Sequence, residues 1–292
     1  MVPEHSVVVG VDGSRPSLDA VAWAAADASR RGRPLHILHA YVWPEVYAPM
    51  AAPVLGPYEQ GLREVGAETL AAAENRARSV APGIPLTTGT PVQSPVPALL
   101  NASEHAGVVV VGHRGLGGFA GLLLGSVGVQ LAAHAACPVV IVRSDERPDG
   151  PEAGRVVVGV DGSNDADRAL HFAFEQASYR GVGLTAVLAY LWPASTGPAD
   201  MLPLPYDAGA LREDERRALA ESTSGWAEQY PGVDFRLVAV SGRSAPVLIE
   251  RTAGAELVVV GSRGRGGFTG LLLGSVSQAV IHHAACPVAV VR

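Results

Sequence analysis

The sequence predicts an α/β protein of two tandem doubly wound domains, each with a five-stranded parallel sheet flanked by helices. Three observations carry this. Short apolar runs ending in or near glycine alternate with alanine-rich stretches of helical periodicity. A sixteen-residue glycine-rich segment follows such a run at Gly112 and again at Gly261. Finally, Val7 and Val156, Asp12 and Asp161, Gly112 and Gly261, and Cys137 and Cys286 all lie 149 positions apart. Alternating strands and helices with short loops imply parallel sheets with right-handed crossovers. A constant offset implies an internal duplication. The domains are read as 1–143 and 155–292, joined by the polar, Pro/Gly-rich stretch 144–154.

Each element has its own local signal. SVVVGV, from Ser6 to Val11, is a buried-strand run. Ser14 is placed to cap a helix from Pro16 to about Arg31, with proline in the tolerant first turn. Leu18, Val21, Ala22 and Ala25 are expected to form its apolar face. Arg30 and Arg31 suit the C-terminal dipole end, and Gly32 can close the helix. Leu35 to Tyr41 is the second strand. Residues 43–57 carry four prolines and are read as a loop. A helix from about Tyr58 to Val80, a weaker strand from Leu86 to Thr90 and a helix from Ser94 to His105 follow. Val108 to Val111 is the fourth strand, and Pro138 to Arg143 the fifth. The second copy repeats the series, including a proline-rich loop from Pro193 to Pro205 and a charged helix from about Asp207 to Tyr230.

The glycine-rich segments carry the chemistry. They read GHRGLGGFAGLLLGSV from Gly112 to Val127 and GSRGRGGFTGLLLGSV from Gly261 to Val276. Glycine disfavours helix, so these are expected to be loops using positive φ or close backbone approach to a ligand. Ser126 is the expected N-cap of the next helix. Strand, glycine loop and helix N-terminus together offer backbone N–H groups and a positive dipole end, which suits phosphate. Ordinary tight turns are the competing reading of a glycine loop. In an open α/β sheet the ligand crevice lies beyond the strand C-termini at the switch of strand order. Asp12 and Gly112 would both sit there. Asp-Gly after a strand is also common turn chemistry, so Asp12 and Asp161 have two readings, turn former and nucleoside contact.

Composition narrows the classes. Net charge is −6 and the pI about 5.8, which argues against a nucleic-acid partner held by phosphate neutralisation. No apolar run approaches the roughly 18 residues of a membrane span, and no signal segment is evident. A cytoplasmic protein without membrane partners is expected. Two cysteines preclude a disulfide framework, and both are read as buried, inert thiols. The sequence contains no lysine; all 22 basic residues are arginine. A Walker A lysine is thereby excluded. His36, His39, His134, His282 and His283 are read as packing or surface residues, since their spacing fits no established metal motif. Trp43 and Trp192 either cover the ligand or pack beneath the next loop.

VVVGVDGS near each start, G-x-x-G-(nine residues)-G-S near each end, and CPVVIV or CPVAVV after it resemble the universal stress protein family. The resemblance covers nearly the whole chain twice and implies a tandem member of the ATP-binding subgroup. It implies nucleoside contacts at Asp12 and Asp161, with Gly10, Ala40, Gly159 and Ala189 lining the adenine and ribose end. It implies phosphate contacts at Gly112, Gly115, Gly125 and Ser126, within a nucleotide-binding stretch taken to include His113, Arg114, Leu116, Gly117, Gly118 and Val127 as well. In the second copy the contacts are Gly261, Gly264, Gly274 and Ser275, within a stretch that also takes in Ser262, Arg263, Arg265, Gly266, Gly267 and Val276. Two ATP molecules per chain, with or without Mg, are expected. The function is then regulatory signalling in stress adaptation through an unidentified protein partner, or slow ATP hydrolysis or autophosphorylation. Phosphoryl transfer needs a group to orient the nucleophile, and no catalytic base is evident, so regulation is preferred. The apolar final strands are expected to pair the halves, and two chains to form a homodimer. Arg265, facing Leu116 in the first copy, and Ser262, facing His113, are expected to make site two the tighter and more salt-sensitive.

Overall fold

The computed structural model describes residues 2–42, 52–116, 125–143, 149–190, 217, 220, 223, 225–265 and 272–292. The chain divides into two compact units, Met1–Asp145 and Glu146–Arg292. The first contains β1 (Val7–Gly10), α1 (Arg15–Arg31), β2 (Leu35–Leu38), α2 (Ala52–Val80), β3 (Leu86–Gly89), α3 (Pro95–Ser103), β4 (Val108–Gly112), α4 (Ser126–His134) and β5 (Val139–Val142). The second contains β6 (Arg155–Gly159), α5 (Asn164–Arg180), β7 (Gly183–Tyr190), α6 (described over 225–229), β8 (Phe235–Ser241), α7 (Ser244–Glu250), β9 (Leu257–Gly261), α8 (Ser275–His283) and β10 (Val288–Val291). Residues 43–51 of the first proline-rich stretch, the whole of the second, Trp43, Trp192 and most of the predicted charged helix before Tyr230 lie outside the described residues.

Within the first unit the strands run in the order β3-β2-β1-β4-β5, every pair parallel. Within the second the order is β8-β7-β6-β9-β10, again all parallel. Each is the doubly wound fold that the alternation predicts. The chain winds outward from β1 to β3, then returns to the other side of β1 as β4. Crossovers on opposite faces diverge there, and a crevice opens at the strand C-termini. The central strands are covered on both faces, which is why they read as unbroken valine runs. Val7, Val8, Val9, Val108, Val109 and Val110 are all buried.

The caps hold the first helix of each unit where the crevice needs it. Ser14 accepts the Ser17 N–H at 3.3 Å, and Gly32 closes α1 at φ 61°. Ser163 and Gly181 do the same for α5. The buried face of α1 is Ala20, Val21, Ala24, Ala25 and Ala28, while Leu18 and Ala22 remain half-buried. That corrects the expected stripe: small side chains let the helix approach the sheet. The helix α2 starts at Ala52, earlier than expected. Pro53 lies in the first turn, where a missing N–H removes no intrahelical bond.

The second unit carries a buried polar network around Arg155. Arg155, at the start of β6, donates Nε to Thr185 Oγ1 (2.9 Å) and Nη2 to the carbonyls of Leu184 (2.9 Å) and Asp234 (2.6 Å). Thr185 Oγ1 donates to Glu152 Oε2 at 2.7 Å, and Arg251 Nη1 to Glu152 Oε1 at 2.6 Å. Glu152, part of the stretch read as a linker, is therefore folded into the second unit, its charge buried because both oxygens are satisfied. The position 149 before Arg155 is Ser6, also buried.

Candidate functional site

In the first unit a cavity of about 550 Å³ opens beyond the C-termini of β1, β2 and β4. Gly10, Asp12 and Ala40 line one side, and Gly112, Arg114, Gly115, Leu116, Gly125, Ser126 and Val127 the other. The second unit has a cavity of about 450 Å³, lined by Gly159, Asp161, Ala189, Gly261, Arg263, Gly264, Gly274, Ser275 and Val276 among others. Both volumes fall in the ordinary range for small-molecule pockets, about 300–1,000 Å³. Sequence reasoning missed Pro95 and Leu99 in the first, and Ser244 and Leu248 in the second. Each pair comes from the helix after the third strand, and the apolar spacing within that helix was the available signal. Gly117, Gly118, Gly266 and Gly267 lie outside the described residues.

Helix α4 begins with Gly125 as N-cap and Ser126 as its first residue, and no side chain caps it. The expected N-cap moves back by one, because Gly125 takes the extended conformation (φ −75°, ψ 148°) and donates its N–H to His113 O at 2.8 Å. The N–H groups of Ser126, Val127 and Gly128 then have no intrahelical acceptor. All three residues line the cavity, and the Ser126 side chain is exposed. In the second unit Gly274 is the N-cap and Ser275 the first residue of α8, also without a side-chain cap. This is an uncompensated positive helix end facing a hollow, suited to an anion.

The described loop glycines do not adopt positive φ, so close approach explains them. A Cβ on Gly112 would meet Pro16 O at 2.6 Å and Ser17 N at 3.0 Å, and one on Gly115 would overlap Asp12 Oδ2. Gly264 stands in the same relation to Asp161. Glycine here lets the loop lie against the first helix and the first-strand carboxylate.

Asp12 is the expected turn former and also reaches across the crevice to the glycine loop. Its Oδ1 accepts the Ser14 N–H at 3.0 Å, forming the turn, and its Oδ2 accepts the Leu116 N–H at 2.7 Å, across the crevice. Asp161 repeats this with Ser163 (3.0 Å) and Arg265 (2.9 Å). Each carboxylate clasps its glycine loop to the end of the first strand. Burial pulls the Asp12 pKa upward, but hydrogen bonds from Ser14 and Leu116 outweigh it and hold the carboxyl below its ordinary 3.8. A depressed folded-state pKa stabilises above 3.8 and loses that contribution as pH falls through the lower value. The clasp is thus fully formed at neutral and mildly acidic pH. We expect Asp12→Ala to free loop one, since hydrogen bonds to a charged acceptor contribute about 1.5–3 kcal/mol. Amide exchange at Leu116 should quicken by about tenfold or more, with Arg265 as internal control. Unchanged exchange at Leu116 would refute the clasp.

Three predicted residues do not line the cavities. His113 hydrogen-bonds Val142 O through Nδ1 at 3.3 Å, and burial first, then the charges of Arg143 and Arg114, lower its pKa. Ser262 is fully buried and donates Oγ to Asp165 Oδ2 at 2.8 Å. The Arg265 guanidinium donates to Gly162 O at 3.3 Å, over the turn after β6. The basis for a tighter site two therefore fails, because neither the extra hydroxyl nor the extra arginine faces the hollow. The buried histidine His36 bonds Thr87 Oγ1 at 2.9 Å as a packing residue. Burial pushes the Cys137 thiol up to about 12, consistent with an inert residue. Among the described residues no cluster of three or more His, Cys, Asp or Glu could hold a metal. No described helix is long and apolar enough to cross a membrane.

A duplicated doubly wound unit with an uncapped helix end over a carboxylate-clasped glycine loop defines a class of tandem α/β proteins. The universal stress protein family profile matches residues 4–143 and again 152–292. A universal stress protein of Mycobacterium tuberculosis is 40% identical over 301 residues, covering 99% of this chain and 97% of its own. One from Mycolicibacterium smegmatis is 38% identical over 300 residues, with the same coverage. The crystal structure of a universal stress protein from Archaeoglobus fulgidus superposes with a TM-score of 0.70 at 22% identity, covering 100% of this chain and 97% of that one, which is a likeness of fold. The chain belongs to the universal stress protein family, with two tandem family domains.

Proposed function

We propose that each unit binds one ATP, with its phosphates on the glycine loop and its adenine and ribose toward Gly10 and Ala40, or Gly159 and Ala189. The single observation that carries this is the uncapped N-terminus of α4 and α8 facing a pocket walled by the glycine loop. Free backbone N–H groups replace the missing lysine as the phosphate cradle. Arg114 and Arg263 line the two pockets and add charge. Mg, where present, would travel with the ATP phosphates, since among the described residues Asp12 and Asp161 are the only carboxylates lining the pockets, and both oxygens of each accept backbone N–H groups. The same engagement leaves neither one placed as a general base. Turnover should be well below the roughly 10 s⁻¹ of a typical enzyme.

The role that follows is regulatory: a cytoplasmic nucleotide-loaded protein, assembled as a homodimer, whose ATP-bound state is read by a partner during stress adaptation. The test is to denature purified protein and identify the released nucleotide by absorbance and mass spectrometry. ATP is expected, and ATP added to stripped protein should raise the melting temperature, because only the native state binds it. Release of no nucleotide, together with no shift at millimolar ATP, would overturn the reading.

A further inference from the structure

The two glycine loops are held at their bases by different chemistry. In the second unit Asp165, in the first turn of α5, places a carboxylate against the loop. Its Oδ2 accepts Ser262 Oγ at 2.8 Å and the Arg263 backbone N–H at 3.1 Å, and lies 3.8 Å from Arg263 Nε. Its Oδ1 pairs with Arg168. The position 149 before Asp165 is Pro16, which carries no charge and offers no side-chain acceptor. In the first unit, accordingly, the Arg114 N–H and guanidinium have no hydrogen-bond or ion-pair partner among the described residues.

We infer that Asp165 acts as an internal anion at site two. It takes a backbone donor and part of the arginine charge that site one leaves open to a phosphate. The inference rests on the ATP-site reading above and deepens it: the two sites of one chain rank nucleotides by phosphate number differently. Site one favours the triphosphate more strongly, while site two discriminates less between triphosphate and monophosphate.

The competing charges do not reverse this. The Asp165 side chain is 9% exposed, whereas those of Arg168 and Arg263 are 53% and 55% exposed. A buried charge acts through a lower effective dielectric, and exposed ones are screened by solvent and salt. Arg265 rests on Gly162 O and does not line the pocket. Asp19, whose charge acts on His113 from α1, makes no hydrogen bond to loop one among the described residues. A chain with such sites, at mixed nucleotide levels, holds ATP in the first unit while occupancy of the second follows the balance of monophosphate to triphosphate.

The experiment uses the full, nucleotide-stripped chain with one site blocked at a time. Gly274→Val leaves site one, and Gly125→Val leaves site two. Calorimetric dissociation constants for ATP and AMP are measured on each. The AMP-to-ATP ratio of dissociation constants should be about fivefold or more larger at site one, the scale of one added charge contact at intermediate dielectric. Asp165→Asn in the Gly125→Val background should tighten ATP about threefold or more and move AMP less than twofold. Circular dichroism checks that this variant is folded; if it is not, the ratios of the two single-site chains decide alone. Equal ratios with both sites binding, or weaker ATP binding on Asp165→Asn, would overturn this inference and leave the ATP reading intact. No binding of either nucleotide by the stripped unblocked chain would overturn both.

Discussion

Replacing Gly125 with valine should abolish measurable ATP binding at site one, weakening it by about 100-fold or more, while the fold is kept. A Cβ built on Gly125 meets nothing of the protein closer than His113 O at 3.6 Å, which is ordinary contact. The backbone there is extended (φ −75°, ψ 148°), a conformation that valine favours. Gly125 nevertheless lines the cavity at the helix N-terminus, so the added methyls occupy the space a phosphate needs. A loss of 100-fold is about 2.7 kcal/mol of binding, whereas the cost in folding should be within about 1 kcal/mol, the scale of an N-cap change. Gly112→Ala is a poorer probe, although the motif invites it. Its methyl would collide with Pro16 O and Ser17 N and push β4 from α1, an overpacking cost of about 1–3 kcal/mol. Lost binding would then be inseparable from lost structure. Calorimetry of Gly125→Val beside its urea unfolding curve checks the claim; retained binding within threefold would refute the placement of the phosphates.

Arg155→Met should destabilise the protein by about 3 kcal/mol or more, the scale for removing one partner of a buried charged group. Its guanidinium satisfies Thr185 Oγ1 and two carbonyls, and its side chain is 9% exposed beside Glu152 at 4%. Methionine fills the volume but removes the donors to Thr185 Oγ1 and to the Leu184 and Asp234 carbonyls, and takes away the positive charge 4.0 Å from the buried Glu152 carboxylate. Arg155→Lys should recover only part, because one ammonium cannot span the fork of acceptors. The lost energy should appear as a lower urea midpoint. A change under 1 kcal/mol would mean that water replaces the guanidinium without cost. This network lies at the starting end of β6 and should leave ATP affinity at both sites unchanged.

Local signals in the sequence were legible where one short segment decides the outcome. Ser14, Pro16 and Gly32 specify α1 because capping, first-turn proline and a left-handed terminus all act within one turn. Valine runs specify the central strands because both faces are covered. The crevice was legible because topology alone brings Asp12 and Gly112 together. What stayed hidden depends on pairs of residues distant in sequence. Nothing near Asp12 says that its second oxygen will bind Leu116, 104 positions away. Arg265 reads as an extra phosphate ligand until the fold offers it Gly162 O. Ser262 reads as a loop hydroxyl until Asp165 draws it inside. Comparing the copies at the 149-residue offset could have exposed these, since Pro16 faces Asp165 and Gly128 faces Ser277. Ser277 donates to Gly261 O at 2.7 Å, a brace that Gly128 cannot make. Arg155 opposite Ser6 was visible in the same way, as a charge opening an otherwise apolar strand.

Each unit of this chain is proposed to bind one ATP, which fixes the stoichiometry. Titration calorimetry of the nucleotide-stripped full chain measures it most directly, carried to ATP concentrations that saturate the weaker site. Two ATP molecules per chain are predicted, falling to one in Gly125→Val or Gly274→Val and to none in the double variant. No binding by the stripped chain, or two molecules still bound by a folded double variant, would contradict it.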